Sequence, residues 1–365
     1  MDARVDHDDS RTLVLETLAG RTVARAVTGP LAVHWCAHQA GVAVRDYTLD
    51  PRVLADCVAR YHERFRPDAV WLSADTWVSA QAMGAAVGFP GPDVPMGGMG
   101  PPCVRSAADI DRIPPPDPTA QGRYPLMLEA TRLLRRAVGG DVCLVACFDQ
   151  YPFSLACALM GIEAVMVAIV DDRPRVEALM DRCAEYAISY ATALAGAGAD
   201  VLSGGDSPAG LIGPRLYREV ALPFERKVIA GLKSRVTRPV SLHICGNALA
   251  IVGDMAASGA DVLELDHRVD IARACRAIGP GVAIWGNLDP VGLLARGDPG
   301  SVRTAASNLL RLVRDCGHAR FVLSSGCTLT METPAANVHA MLEAVRRDVT
   351  GDEGIDRSTE KDSDA

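Results

Sequence analysis

Eight short, apolar, β-rich runs recur along this chain, each followed by a polar or glycine-rich loop and then a segment whose apolar residues fall at helical spacing. They cover residues 31–35, 69–74, 143–148, 201–204, 240–244, 262–265, 282–285 and 321–324. Helix-like segments follow at 51–64, 126–138, 173–195, 214–232, 248–257, 271–277 and 301–316. Strands that alternate with helices must run parallel, and eight such units predict a closed (β/α)8 TIM barrel. The Asp50-Pro51 pair sets a helix cap and first turn, while Gly259, Gly279 and Gly317 stand where helices should stop. An open doubly wound sheet would want a glycine fingerprint after the first strand, and HWCAHQAG has none.

Three regions fall outside the alternation. Residues 1–15 and 351–365 are polar or charged enough to read as disordered tails, leaving a single barrel domain over 16–350. Within it, the Pro/Gly-rich excursion at 88–124 reads as an inserted loop, a lid or a packing arm. The formal charge of -8, without a basic block, argues against nucleic-acid or acidic-membrane partners. No apolar stretch is long enough to span a bilayer, and MDARVDHDDSR lacks the core of a signal peptide, so a cytoplasmic location is expected. An odd total of 11 cysteines fits reduced thiols, most of them small buried hydrophobes.

Barrel active sites are assembled at the carboxyl ends of the strands. Here those ends carry His34 with Cys36, Asp75, Asp149, Asp206, His243 with Cys245, Asp266, Asn287 with Asp289, and Cys327. One strand-end aspartate is as readily a helix cap as a reactive group. Several converging on one mouth point to chemistry.

His243 and Cys245 stand at i and i+2, so they share a face of the fifth strand. Cys327 ends the eighth strand in FVLSSGC, and barrel closure brings both strands to one rim. One imidazole and two thiolates with an open fourth position is a donor set for catalytic zinc. Asp266 is the expected exchangeable fourth ligand, with Glu264 its competitor; no CxxC pair exists to build a four-cysteine structural site.

HICGN, GADVLELDHRVDI, WGNLDP and the closing SSGC…ETP, together with GGDSPAGLIGPRLYREVALPFERKV, resemble the uroporphyrinogen decarboxylase superfamily, in particular its zinc-dependent methylcobamide:thiol (coenzyme M-type) methyltransferases. The segment HWCAHQAGVAVRDY resembles the part that carries two substrate-gripping arginines in the decarboxylases, but those positions read His38 and Val42. The decarboxylases' closing glycine-histidine-glycine is replaced by Gly326-Cys327-Thr328, whereas Asp75 matches the aspartate they set against pyrrole nitrogens.

The resemblance implies a zinc enzyme that moves a methyl group between a corrinoid, such as methylcobalamin, and a thiol or other small methyl donor or acceptor. Zinc would hold the thiol as thiolate for attack on the methyl group. The chain has no D-x-H-x-x-G corrinoid-ligand motif, so the corrinoid is expected free or on a separate carrier protein docking at the mouth. Asp75, Asp206 and Asn287 are expected to orient the reacting groups, with His38, Asp149 and Asp289 contacting substrate. Two rival readings remain: a decarboxylase-like lyase acting on a tetrapyrrole, and a non-catalytic zinc or tetrapyrrole-binding protein. Self-association through outer helices is compatible with docking of a corrinoid carrier at the mouth.

Overall fold

The computed structural model describes residues 9–91 and 94–348. Eight parallel strands form one sheet: β1 (Val27–Thr28), β2 (Ala69–Leu72), β3 (Cys143–Gln150), β4 (Val201–Gly205), β5 (Ser241–Ile244), β6 (Val262–Leu265), β7 (Ala283–Leu288) and β8 (Phe321–Ser325). Each pairs with its sequence neighbour from β2 through β8, and β8 pairs with β1. The remaining seam, between β1 and β2, is drawn together by Asp68, whose backbone N–H donates to the Thr28 carbonyl at 3.1 Å. Its carboxylate accepts the Thr28 N–H at 2.9 Å. The result is a nearly closed (β/α)8 barrel.

Alternation along the strands sorts the core into two layers. Val27, Ala69, Trp71, Cys143, Val145, Val201, Val262, Ala283, Trp285 and Val322 form the barrel interior. Their strand neighbours, such as Leu72, Leu144, Ala146, Leu202, Leu263 and Leu323, face the helical jacket. Near the seam, the Gly29 carbonyl accepts from Trp71 Nε1 at 3.1 Å, Trp285 Nε1 at 2.8 Å and Ser324 Oγ at 2.9 Å. A side chain at Gly29 would collide with the Trp285 ring, its Cβ coming within 2.3 Å.

Two sequence expectations need correction. Residues 31–35 are not the first strand: the strand is the two-residue β1 just upstream, and the apolar run enters the helix Val33–Ala40, where Trp35, Cys36 and Ala37 are buried. The N-terminal tail is shorter than expected, because Ser10–Leu18 is a helix capped by the Asp9 carboxylate. Leu13, Val14 and Leu18 join the interior layer and stop the amino-terminal end of the barrel. The rest of the expected N-terminal tail, residues 1–8, and the C-terminal one, 351–365, lie outside the described residues.

The 88–124 insertion is entered through a short antiparallel ribbon (Val87–Gly88 with Gly97–Gly98) and contains the helix Ala107–Asp111. Among the described residues, no single helix is long and apolar enough to cross a membrane. The apolar helices Pro152–Met160 and Ile162–Asp171 turn by 110° about Gly161.

Candidate metal centre at the barrel mouth

A cavity of about 440 Å³ opens at the carboxyl ends of the strands, and β5 delivers His243 and Cys245 into it. Cys327 follows β8 and reaches the same cavity. Gly326 makes that approach feasible: a Cβ there would lie 2.4 Å from the His267 backbone nitrogen. The donor atoms of His243, Cys245 and Cys327 all fall within 4.8 Å of one another. His243 Nε2 lies 2.8 Å from Cys245 Sγ, and the two sulfurs are 3.8 Å apart.

The surroundings fix each donor. His243 Nδ1 donates to the Glu264 carbonyl at 3.1 Å, which turns Nε2 toward the thiols. Ser207 Oγ accepts the Cys245 N–H at 3.3 Å. Beneath them, the Glu264 carboxylate takes hydrogen bonds from Ser203 Oγ at 2.7 Å and from Ser241 Oγ, with its other oxygen 3.8 Å from His243 Nδ1.

Electrostatics at the triad favour a protonated imidazole beside an ionised Cys245. Burial opposes charge on His243, yet the Cys327 thiol and the Glu264 carboxylate outweigh it and raise the imidazole to about 9. The hydrogen bond from Cys327 lowers Cys245 to about 7, and the same contact, with burial, pushes Cys327 up to about 12. The triad suits zinc in donor type, and two thiolates about 2.3 Å from a tetrahedral ion would stand about 3.8 Å apart, as the two sulfurs do.

Asp266 is not part of this group. Its oxygens accept the Gly246 N–H at 2.9 Å and the Arg268 N–H at 2.8 Å, and it does not line the cavity. Glu264 does line it.

The other expected site residues divide by where their carboxyl or amide groups point. Asp75 lines the cavity, but its carboxylate is paired with Arg123, at 2.5 Å to Nη1 and 3.0 Å to Nη2. Asp149 also lines it: one oxygen accepts the Ser79 N–H at 2.8 Å, and the other is buried without a partner among the described residues. Its backbone has φ 82°, a left-handed value that costs a non-glycine residue energy. Burial pushes its carboxyl up to about 8.

Asp206 is buried beneath the cavity, where it caps the Ser154 N–H at 2.7 Å. Asn287 Nδ2 donates to the Asp266 and Val269 carbonyls at 3.0 and 2.9 Å and so braces the loop after β6. Asp289 caps the Val291 and Gly292 amides, both at 2.9 Å. His38 is exposed on the last turn of its helix, while His34, one turn earlier, lines the cavity and bonds the Ala74 carbonyl at 2.6 Å. Asp206, Asn287, Asp289 and His38 do not line the cavity, which corrects the direct contact expected of them: Asn287 and Asp289 bind backbone groups, Asp206 binds one amide and keeps its other oxygen buried without a partner among the described residues, and His38 faces outward.

Sequence reasoning missed Arg123, Cys147 and the two serines under Glu264. Cys147 lines the cavity, and its i, i+2 spacing with Asp149 on β3 was a readable signal. Arg123 had none, because it lies in the irregular insertion.

The uroporphyrinogen decarboxylase (URO-D) family model matches residues 9–347. The chain belongs to the uroporphyrinogen decarboxylase family. Relatives within it carry different activities. A protein named methylcobamide:CoM methyltransferase MtbA from Methanosarcina acetivorans is 34% identical over 62% of this chain, which spans 64% of that relative's length. The Methanosarcina mazei protein of the same name is 32% identical over 67% of this chain and 69% of its own. A uroporphyrinogen decarboxylase from Xanthomonas oryzae pv. oryzae is 31% identical over 82% and 85%.

Among solved structures, a methyltransferase from Methanosarcina mazei superposes with a TM-score of 0.85 at 25% identity, covering 93% of this chain and 99% of that one. A B12-independent methionine synthase from Shewanella sp. W3-18-1 shares the fold, with a TM-score of 0.56 at 12% identity, covering 82% of this chain and 86% of its own.

Proposed function

We propose that this member of the uroporphyrinogen decarboxylase family is a zinc-dependent methyltransferase that moves a methyl group between a corrinoid and a small thiol or other methyl carrier. The observation that carries the reading is the His243, Cys245 and Cys327 donor group opening into the barrel mouth. The relatives named as methylcobamide:CoM methyltransferases support the corrinoid. The decarboxylase reading is weakened by two features. His38, at one of the two positions where the decarboxylases carry arginines, faces away from the cavity, and Asp75 is neutralised by Arg123.

A zinc ion held by these three residues would act as a Lewis acid, keeping a substrate thiol ionised at neutral pH. The protein's own groups supply the rest. The Glu264 carbonyl fixes the imidazole so that Nε2 faces the metal position, the second hydrogen bond that a metal-ligating histidine requires. Ser207 holds the Cys245 backbone, and Gly326 lets the end of β8 bring Cys327 across the rim.

Leu31, Val33, Trp71, Pro95 and Met96 give the cavity apolar walls that exclude water from the reacting sulfur. In the transfer, the sulfur–carbon bond forms as the cobalt–carbon bond breaks, and that electron pair stays on cobalt. The thiol proton leaves to solvent, and the reverse reaction retraces the same path. The corrinoid is a substrate here, presented free or by a separate carrier protein at the mouth.

Metal analysis of the purified protein, joined to an assay of methylcobalamin with a thiol, tests the reading. One zinc per chain and thiol methylation are expected, with both lost in Cys327→Ala while the far-ultraviolet dichroism is retained. Stoichiometric zinc retained by Cys327→Ala, or none bound by the wild type, would overturn it.

A further inference from the structure

Among the described residues, the mouth cavity is lined without a single lysine or arginine. Its two histidines do not replace them. His243 belongs to the donor group, and burial lowers His34 while its Nε2 bonds the Ala74 carbonyl. Arg123, the ion-pair partner of the cavity-lining Asp75, is spent on that carboxylate through two hydrogen bonds and on Gln81 at 2.7 Å.

Backbone amides are the other means by which a barrel mouth grips an anion, since free N–H groups at helix starts carry partial positive charge. Here strand-end aspartates have taken several of them. Asp75 holds the Trp77 amide, Asp149 the Ser79 amide and Asp206 the Ser154 amide. Asp266 holds those of Gly246 and Arg268, and Asp289 those of Val291 and Gly292. Among the hydroxyls, Ser203 donates to Glu264 and Ser207 accepts the Cys245 N–H, while Ser154 Oγ, buried without a partner among the described residues, offers only a neutral hydrogen bond. The Glu264 carboxylate itself faces the cavity, and apolar side chains make up much of the wall.

We infer that the small methyl acceptor or donor of this enzyme carries no anionic group: it is an uncharged, largely apolar molecule. This rests on the methyl-transfer reading and narrows its substrate. A sulfonate or carboxylate drawn into the cavity would lose its hydration and lie near Glu264, with no lysine or arginine among the described lining residues and with a zinc charge that the Cys245 and Cys327 thiolates would already balance; an unpaired buried charge is strongly disfavoured. An uncharged thiol of the same length loses only apolar surface to water and is favoured by the walls. The chain therefore departs from its relatives named for transfer to CoM, a thiol that bears a sulfonate, in the partner it accepts.

The test uses the full chain loaded with cobalt(II) in place of zinc, in which binding of a thiol sulfur adds a charge-transfer absorption band. Ethanethiol and 2-mercaptoethanol are titrated against 2-mercaptoethanesulfonate and 3-mercaptopropionate, and the zinc form is assayed with methylcobalamin and the same four thiols. Both neutral thiols are expected to bind at least tenfold more tightly than either anionic one, and to show the same order in kcat/KM. Parity, or a preference for the sulfonate or carboxylate, would overturn this inference and leave methyl transfer standing. Failure of all four thiols to perturb the cobalt spectrum or to accept the methyl group would overturn both.

Discussion

Asp149 shows what one strained residue contributes to the mouth. It is nearly inaccessible, its backbone sits in the left-handed region, and only one carboxyl oxygen is satisfied among the described residues. Burial is the main cause of its raised pKa; the Ser79 amide and Arg123 work against the shift, and Asp75 adds to it. The folded chain therefore keeps a proton that the unfolded chain releases from about pH 4 upward, and it holds that proton until about pH 8.

Stability should fall as pH rises through that window and level off above it. Asp149→Asn, a neutral mimic of the protonated acid, should match the wild-type melting temperature near pH 6 and lose less of it between pH 6 and 9. Parallel melting curves for the two proteins across that range would show that Asp149 is already ionised. The sequence marked this residue by its position at a strand end but offered no means of separating it from Asp206 or Asp289, which also accept first-turn helix amides but do not line the cavity. That distinction depends on the backbone turn after each strand, left-handed at Asp149, and only the folded loops decide it. His243, Cys245 and Cys327 were legible because strand periodicity and barrel closure alone set their placement.

Among the elements, the 88–124 insertion depends on a contact that no local pattern announces. Pro95 and Met96 form part of the cavity wall, and Arg123, immediately before the helix Tyr124–Val138, ties the end of the insertion to the loop after β2. Both partners are buried, with side chains 6% and 2% exposed for Arg123 and Asp75. Removing one partner of such a pair strands the other charge and costs about 3–5 kcal/mol. Arg123→Met should lower stability to urea by about that amount, and adding Asp75→Asn should recover a large part of it, because no charge is then left buried.

Equal losses in the single and double variants would mean that the guanidinium packs but does not neutralise. Helices were readable where amphipathic periodicity was long, as over 51–64. They were misread where it was short: Ser10–Leu18 looked like part of a charged tail because its few apolar residues serve a plug rather than a jacket. The run at 31–35 looked like a strand because helix Val33–Ala40 is buried on more than one side, which erases its period.

Taken as a whole, the molecule separates what holds it together from what the mouth is proposed to do. Two apolar layers, one inside the barrel and one beneath the helices, surround every strand, and the amino-terminal helix closes the far end. The donor group stands outside both layers, at the carboxyl ends of β5 and β8, and Cys245 is exposed. A metal there would bridge two strands that the ladder through β6 and β7 already holds in register.

A bound metal stabilises the native state only by its occupancy, through mass action, and a chain this large does not depend on a metal to bury its core. Stripping zinc with a chelator should therefore abolish methyl transfer and lower the melting temperature by a few degrees. The far-ultraviolet dichroism and a single cooperative urea transition should survive, and readdition of zinc should restore activity without a refolding lag. Collapse of the dichroism on chelation would instead make the metal structural and remove the reason to place the reaction at this mouth.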